Sequence, residues 1–103
     1  MFVMSNNRQF TTTCTAADGQ TFDATFKLLP DDEIDDLMDT PNPEDGVKAL
    51  LGAVLVDLGD VVNEMQEPIA FEVLKEPFLK TADLRAAMLV GFRVGRIQGA
   101  SGN

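Results

Sequence analysis

Between Arg8 and Leu28 the side chains alternate with the period of a β-strand, and this run constrains the fold more than any other. Phe10, Thr12, Cys14 and Ala16 fall on one face, with Thr11, Thr13 and Thr15 on the other. After Ala17-Asp18-Gly19 the alternation resumes: Phe22, Ala24, Phe26 and Leu28 share a face, opposite Thr21, Asp23, Thr25 and Lys27. A two-residue Asp-Gly turn sets Cys14 against Asp23 and Phe10 against Lys27, which mixes the faces. A three-residue loop with Gly19 in the left-handed region instead pairs Cys14 with Phe22, Thr12 with Ala24 and Phe10 with Phe26. That register is the expected one. It gives a hairpin with one greasy face and one threonine-rich face. Two strands alone are marginal in water, so the greasy face needs a cover.

Helices are expected to supply it. "PDDEIDDLMD" places Ile34, Leu37 and Met38 at helical spacing, with Asp31 to Glu33 at the positive N-terminal end, and Pro41 stops the helix. A second helix opens at Asn42-Pro43-Glu44-Asp45, with Asn as N-cap and Pro in the first turn. Val47, Leu50, Leu51, Val54, Leu55 and Leu58 follow at intervals of three and four, so this helix is expected to run to Leu58 at the centre of the core. Gly52 inside it reads as a point of close backbone packing. Pro68 bars a helix through residues 59–70, and Glu76-Pro77 interrupts a short one from Phe71 to Leu79. The last helix begins at Thr81 as N-cap, with Leu84, Met88 and Phe92 on one line, flanked by Ala87, Gly91 and Val94. Gly95, Gly99 and Gly102 are expected to fray its end. The fold class is therefore α+β: an N-terminal antiparallel β-hairpin packed on a bundle of three to four α-helices. All 103 residues make a single domain, with residues 1–7 and 99–103 as flexible tails.

Absences in the composition limit the chemistry. The chain has no His, no Trp and no Tyr, and its serines, Ser5 and Ser101, lie in the expected tails. A His general base, a Ser–His pair and an imidazole-rich metal site are excluded, so no enzyme, cofactor or metal is expected. A single Cys14 makes no internal disulfide and suits a reducing compartment. It falls on the greasy face with no cation beside it in sequence, as a small hydrophobe does. A net charge of −9 repels nucleic acid phosphates and favours solubility, with at most weak self-association. No apolar run reaches the ~20 residues of a membrane span. The chain is expected to be cytoplasmic.

Three groups of residues are candidate sites. The acidic run from Asp31 to Asp45 lacks the spacing and central Gly of a calcium loop, and reads as the solvated side of helices. Asp60, Glu64 and Glu67 in "GDVVNEMQEPIAFE" have no neighbours that promise burial, and read as part of a connector between helices. The last helix is the sharper candidate. Arg85, Arg93 and Arg96 concentrate bases there in an acidic chain, beside Met88 and Phe92. Arginine next to large apolar side chains is what interfaces favour, so these five residues are expected to form a partner-binding surface. The alternative is pairing of the arginines with the acidic helices.

From Phe22 onward the chain resembles the small tail assembly chaperones of tailed bacteriophages and prophages. The resemblance is carried by "ATFKLLPDDEIDDLMD", by "ALLGAVLVDLGDVVNEMQEPIAFE", and by "LRAAMLVGF" with the closing "GASGN". It implies a non-enzymatic role: binding and solubilising the long, aggregation-prone tape measure protein in the host cytoplasm, and absence from the finished virion. In many phages a frameshift also yields an extended form that recruits the tail tube protein, which the resemblance makes an expected second partner. Two other readings stay open. One is a virion structural protein of the tail or head-tail connector, and the other is an acidic inhibitor that mimics DNA.

Overall fold

A hairpin opens the fold, as the alternation requires. The computed structural model describes residues 8–98, and both expected tails lie outside the described residues. Strands β1 (Gln9–Thr15) and β2 (Thr21–Lys27) pair antiparallel with Phe10 opposite Phe26, Thr12 opposite Ala24 and Cys14 opposite Phe22. Ala16 N–H donates to the Gln20 carbonyl at 2.8 Å, and Gly19 N–H to the Ala16 carbonyl at 3.0 Å. Gly19 has φ +89°, which closes the three-residue loop without the penalty a Cβ would bring. On the outer face Thr11 and Thr25 share a hydrogen bond of 2.8 Å, and Thr13 donates to Asp23 at 3.1 Å. On the inner face Phe10, Cys14, Phe22, Ala24 and Phe26 are buried.

The sheet has a third strand that the sequence pattern did not announce. Helix α2 (Pro43–Val54) stops four residues short of Leu58, and the chain passes directly into β3 (Leu55–Gly59). This strand pairs antiparallel with β2, giving the order β1-β2-β3. Leu55 and Leu58 are both buried although strand neighbours on one face sit two apart. A bulge explains the spacing. Phe26 pairs with Leu55 and Thr25 with Asp57, so Val56 is an extra residue that resets the alternation. An inward spacing of three then imitates a helix.

Four helices complete the fold, so the α+β class stands. Helix α1 (Asp31–Met38) ends before Pro41, and the Asn42 side chain caps α2 by accepting from Glu44 N–H at 3.0 Å. Helix α3 (Phe71–Lys80) is continuous through Pro77, where an interruption was expected. Thr81 does not serve as the side-chain cap of α4 (Ala82–Gln98). Its hydroxyl donates back to the Pro77 carbonyl at 2.8 Å, and its own carbonyl accepts from Arg85 N–H at 2.9 Å. One residue thus links two helices.

The core centres on three rings where β1, β2 and α4 meet: Phe10, Phe26 and Phe92, with centroids 5.4–6.1 Å apart. A second pair, Phe22 and Phe78, meets edge-on at 5.0 Å and fastens α3 to the sheet. Close packing falls on Gly46 of α2, where a Cβ would lie 2.9 Å from the Met38 carbonyl oxygen, and on two glycines of α4, not at Gly52. A Cβ on Gly91 would lie 2.8 Å from the Cys14 sulfur, and one on Gly95 would lie 2.1 Å from a carbon of the Phe10 ring. At Gly52 the nearest atom would be Leu79 Cδ1 at 3.9 Å, an ordinary contact. Gly95 is therefore a notch that seats Phe10 within the helix, not a frayed end.

Candidate partner-binding surface

Helix α4 carries every residue of the expected surface, and its packing separates them. Leu84, Met88 and Phe92 recur at four-residue intervals, so they lie along one stripe, and the greasy sheet face claims that stripe. Met88 is 0% exposed and Phe92 1% exposed. Neither is available to a partner of the folded chain, which corrects the expectation for both. The physical reason is demand: Phe10 and Phe26 need a ring and a flexible thioether between them and solvent.

The three arginines also do different things. Arg85 and Arg96 lie about 20° apart around the helix but eleven residues, roughly 16 Å, apart along it. Arg85 is buried and turns toward the other helices. Its Nη1 donates to the Leu79 carbonyl at 3.1 Å and its Nη2 to Glu44 at 2.9 Å, so it binds α3 and α2 to α4. This is the intramolecular pairing that stood as the alternative, and Arg85 is corrected from surface to interior. Arg96 sits 5.8 Å from the Phe92 ring centroid and reaches Asp31 on α1 at 3.4 Å. It covers the core edge there. Arg93 alone of the three is exposed, at the mouth of a cleft shared with Ile34 and Met38.

What α4 does present outward is a second apolar line. Val90 is 62% exposed, Val94 47% and Ile97 79%. They stand at i, i+4 and i+7, the spacing of a helix face that ordinarily meets another element. The sequence sets Val94 as a flank of the Leu84, Met88 and Phe92 line, and the structure places it in this second line instead. The sequence carries their spacing, but these residues fall on a different side only once Leu84, Met88 and Phe92 fill the inner stripe, which the sheet decides.

Beside this line lies a groove of about 470 Å³ between α4 and β1. Val90, Val94 and Ala86 wall one side, the β1 segment from Thr12 to Ala16 the other, and Gly91 forms part of the floor. At the hairpin tip, Asp83 accepts from Ala17 N–H at 3.1 Å. There the groove adjoins a second pocket of about 350 Å³, which shares Ala16 and Asp83 with it. Asp18 and Asp60 sit at that pocket's rim and Phe22 and Phe78 within it.

The remaining candidates are structural. Acidic α1 is solvated along all its carboxylates. In the 60–70 connector, Asn63 organises a small ladder. Its side-chain oxygen accepts from Met65 N–H at 2.8 Å and Glu67 N–H at 3.1 Å, and Ile69 N–H donates to the Val61 carbonyl at 3.1 Å. Val61, Ile69 and Phe71 pack on the core, while Asp60, Glu64 and Glu67 face water. The Cys14 thiol is pushed up to about 11, by burial first and by the Asp23 charge second, so it stays protonated at neutral pH. Among the described residues, no group of three or more acidic, His or Cys side chains is placed to hold a metal ion. Among the same residues no buried side-chain nitrogen or oxygen lacks a hydrogen-bond partner, and no helix is long and apolar enough to cross a membrane. No protein-family model, curated protein or solved structure matches the chain.

Proposed function

We propose that this protein is a non-enzymatic binding module, and that it serves as a phage tail assembly chaperone holding the tape measure protein in solution in the bacterial cytoplasm. The observation that carries the binding role is the exposed line Val90, Val94 and Ile97 beside an open groove. Uncovered apolar surface of this kind, bordered by polar residues, marks interaction sites on small proteins. The assignment to tail assembly is supported by the resemblance of the segments from Phe22 onward. A net charge of −9 suits a protein that must keep an aggregating partner dispersed. Arg93 is the one arginine of α4 placed to border the apolar line with charge, so the binding surface proposed is Val90, Arg93, Val94 and Ile97. Recruitment of the tail tube protein belongs to a frameshift-extended form of the chain.

Co-expression with a phage tape measure protein tests this reading. Wild type should keep that protein in the soluble fraction, and the Val90→Asp/Val94→Asp variant should not, although its thermal melt stays within a few degrees of wild type. Equal solubility with and without the chain overturns the reading. Mass spectrometry of purified particles separates it from its rival, because a tail or connector subunit stays in the virion and a chaperone does not.

A further inference from the structure

We propose that the groove between β1 and α4 captures an extended segment of a partner protein, which adds to the sheet as a fourth strand beside Thr13 and Thr15 on the outer edge of β1. The segment carries small apolar side chains toward α4 and a Lys or Arg at the hairpin end. The inference rests on the binding role above and names the form of what is bound; it does not depend on the partner being the tape measure protein.

Backbone parity makes the edge available. Ala16 bonds to Gln20, and the Arg8 carbonyl accepts from Leu28 N–H, so even-numbered β1 residues turn their N–H and C=O groups toward β2. Thr13 and Thr15 therefore point theirs away from the sheet, and among the described residues those groups have no backbone partner. The next outward N–H along the strand, that of Ala17, already receives an acceptor from outside the sheet, the Asp83 carboxylate. An incoming strand continues that pattern. A single edge with a lined groove beside it is how extended peptides are recognised: the main chain bonds to the edge and alternate side chains enter the groove.

Shape and charge select the occupant. A second copy of this chain does not fit by edge pairing. Two β1 strands would lie about 4.8 Å apart, and α4 packs chiefly over β1, so the two α4 helices would be forced well inside the 8–10 Å that helix packing needs. A lone strand has no such helix. Ala86, Val90 and Val94 leave room for small apolar side chains, and Asp83, Asp18 and Asp60 at the tip favour a cation whose stem can lie toward Phe22 and Phe78.

A capped peptide of alternating valine and threonine ending in two lysines is the probe, titrated into isotope-labelled protein by NMR. The proposal expects the Thr13 and Thr15 amides to exchange at least tenfold more slowly with peptide bound. N-methylation of the peptide amides that face β1 should abolish binding, while N-methylation of the opposite set spares it. Val94→Asp should weaken binding at least tenfold, and Asp60→Asn should weaken the lysine peptide more than a glutamine-ended control. The proposal is overturned if the peptide does not bind, or if it binds without protecting Thr13 and Thr15. Protection of those amides in the free monomer also overturns it, since the chain's own residues then fill the edge, as does protection that appears only with dimer formation. Capture intact with no effect on the tape measure protein removes the proposed partner and leaves the groove; the converse removes the groove and leaves the chaperone.

Discussion

Two glycines in two helices should respond oppositely to the same methyl group. Gly95→Ala gains up to ~1 kcal/mol of helix propensity but drives a Cβ into the Phe10 ring, which Phe26 and Phe92 hold in place. Overpacking of this kind costs roughly 1–3 kcal/mol, so the variant should be less stable overall. Gly52→Ala meets nothing nearer than 3.9 Å and should be stabilised by up to ~1 kcal/mol. Urea midpoints of the two variants decide it, and equal shifts would refute the notch. Cys14 sets a pH dependence. Its thiol holds its proton more tightly folded than unfolded, so folding is unaffected below pH 9, where both forms are protonated. Stability then falls as pH rises from 9.0 toward about 11, because only the unfolded thiol ionises there. The alkaline loss should be smaller in Cys14→Ala, measured by thermal melts from pH 7 to 11.

At the scale of elements, α3 is the place where a local rule gives way. Pro77 lies inside a continuous helix and donates no N–H, so the bond to the Val73 carbonyl is lost on an exposed turn. The Phe22–Phe78 contact and buried Leu74 hold the helix in spite of it. Pro77→Ala should therefore raise stability by about 1–2 kcal/mol, less than the full helix penalty because the unfolded chain also gains freedom. A lower denaturation midpoint in this variant would show that the ring itself is needed for packing. The hairpin, by contrast, was legible down to its register, because two faces of opposite polarity and one left-handed Gly19 leave a single consistent pairing. Strand β3 was not legible. Its bulge spaces Leu55 and Leu58 by three, which continues the spacing of α2 without a break, and only pairing with β2 tells them apart.

For the molecule as a whole, Arg85 is the tie between helices that local pattern does not reveal. Its guanidinium satisfies the end of α3 and meets the start of α2, and its stem fills space in the core. Arg85→Ala should cost about 2–3 kcal/mol, through a lost buried donor and lost packing together. Glu44→Gln should cost less than ~1 kcal/mol, because Glu44 is 67% exposed and the pair is screened by water on that side. Comparable losses in chemical denaturation would mean that the ion pair, not the burial of Arg85, provides the tie. The sequence alone determined the hairpin, its register, the Asn42 cap and the α+β class, since each follows from the period or preference of a short segment. Only the tertiary structure decided which side of α4 faces inward. That helix has apolar residues on two sides, and the sheet buries the stripe with Met88 and Phe92 because those side chains fill the space over Phe10 and Phe26. Val90, Val94 and Ile97 are left at the groove because one sheet face can cover only one side of a helix.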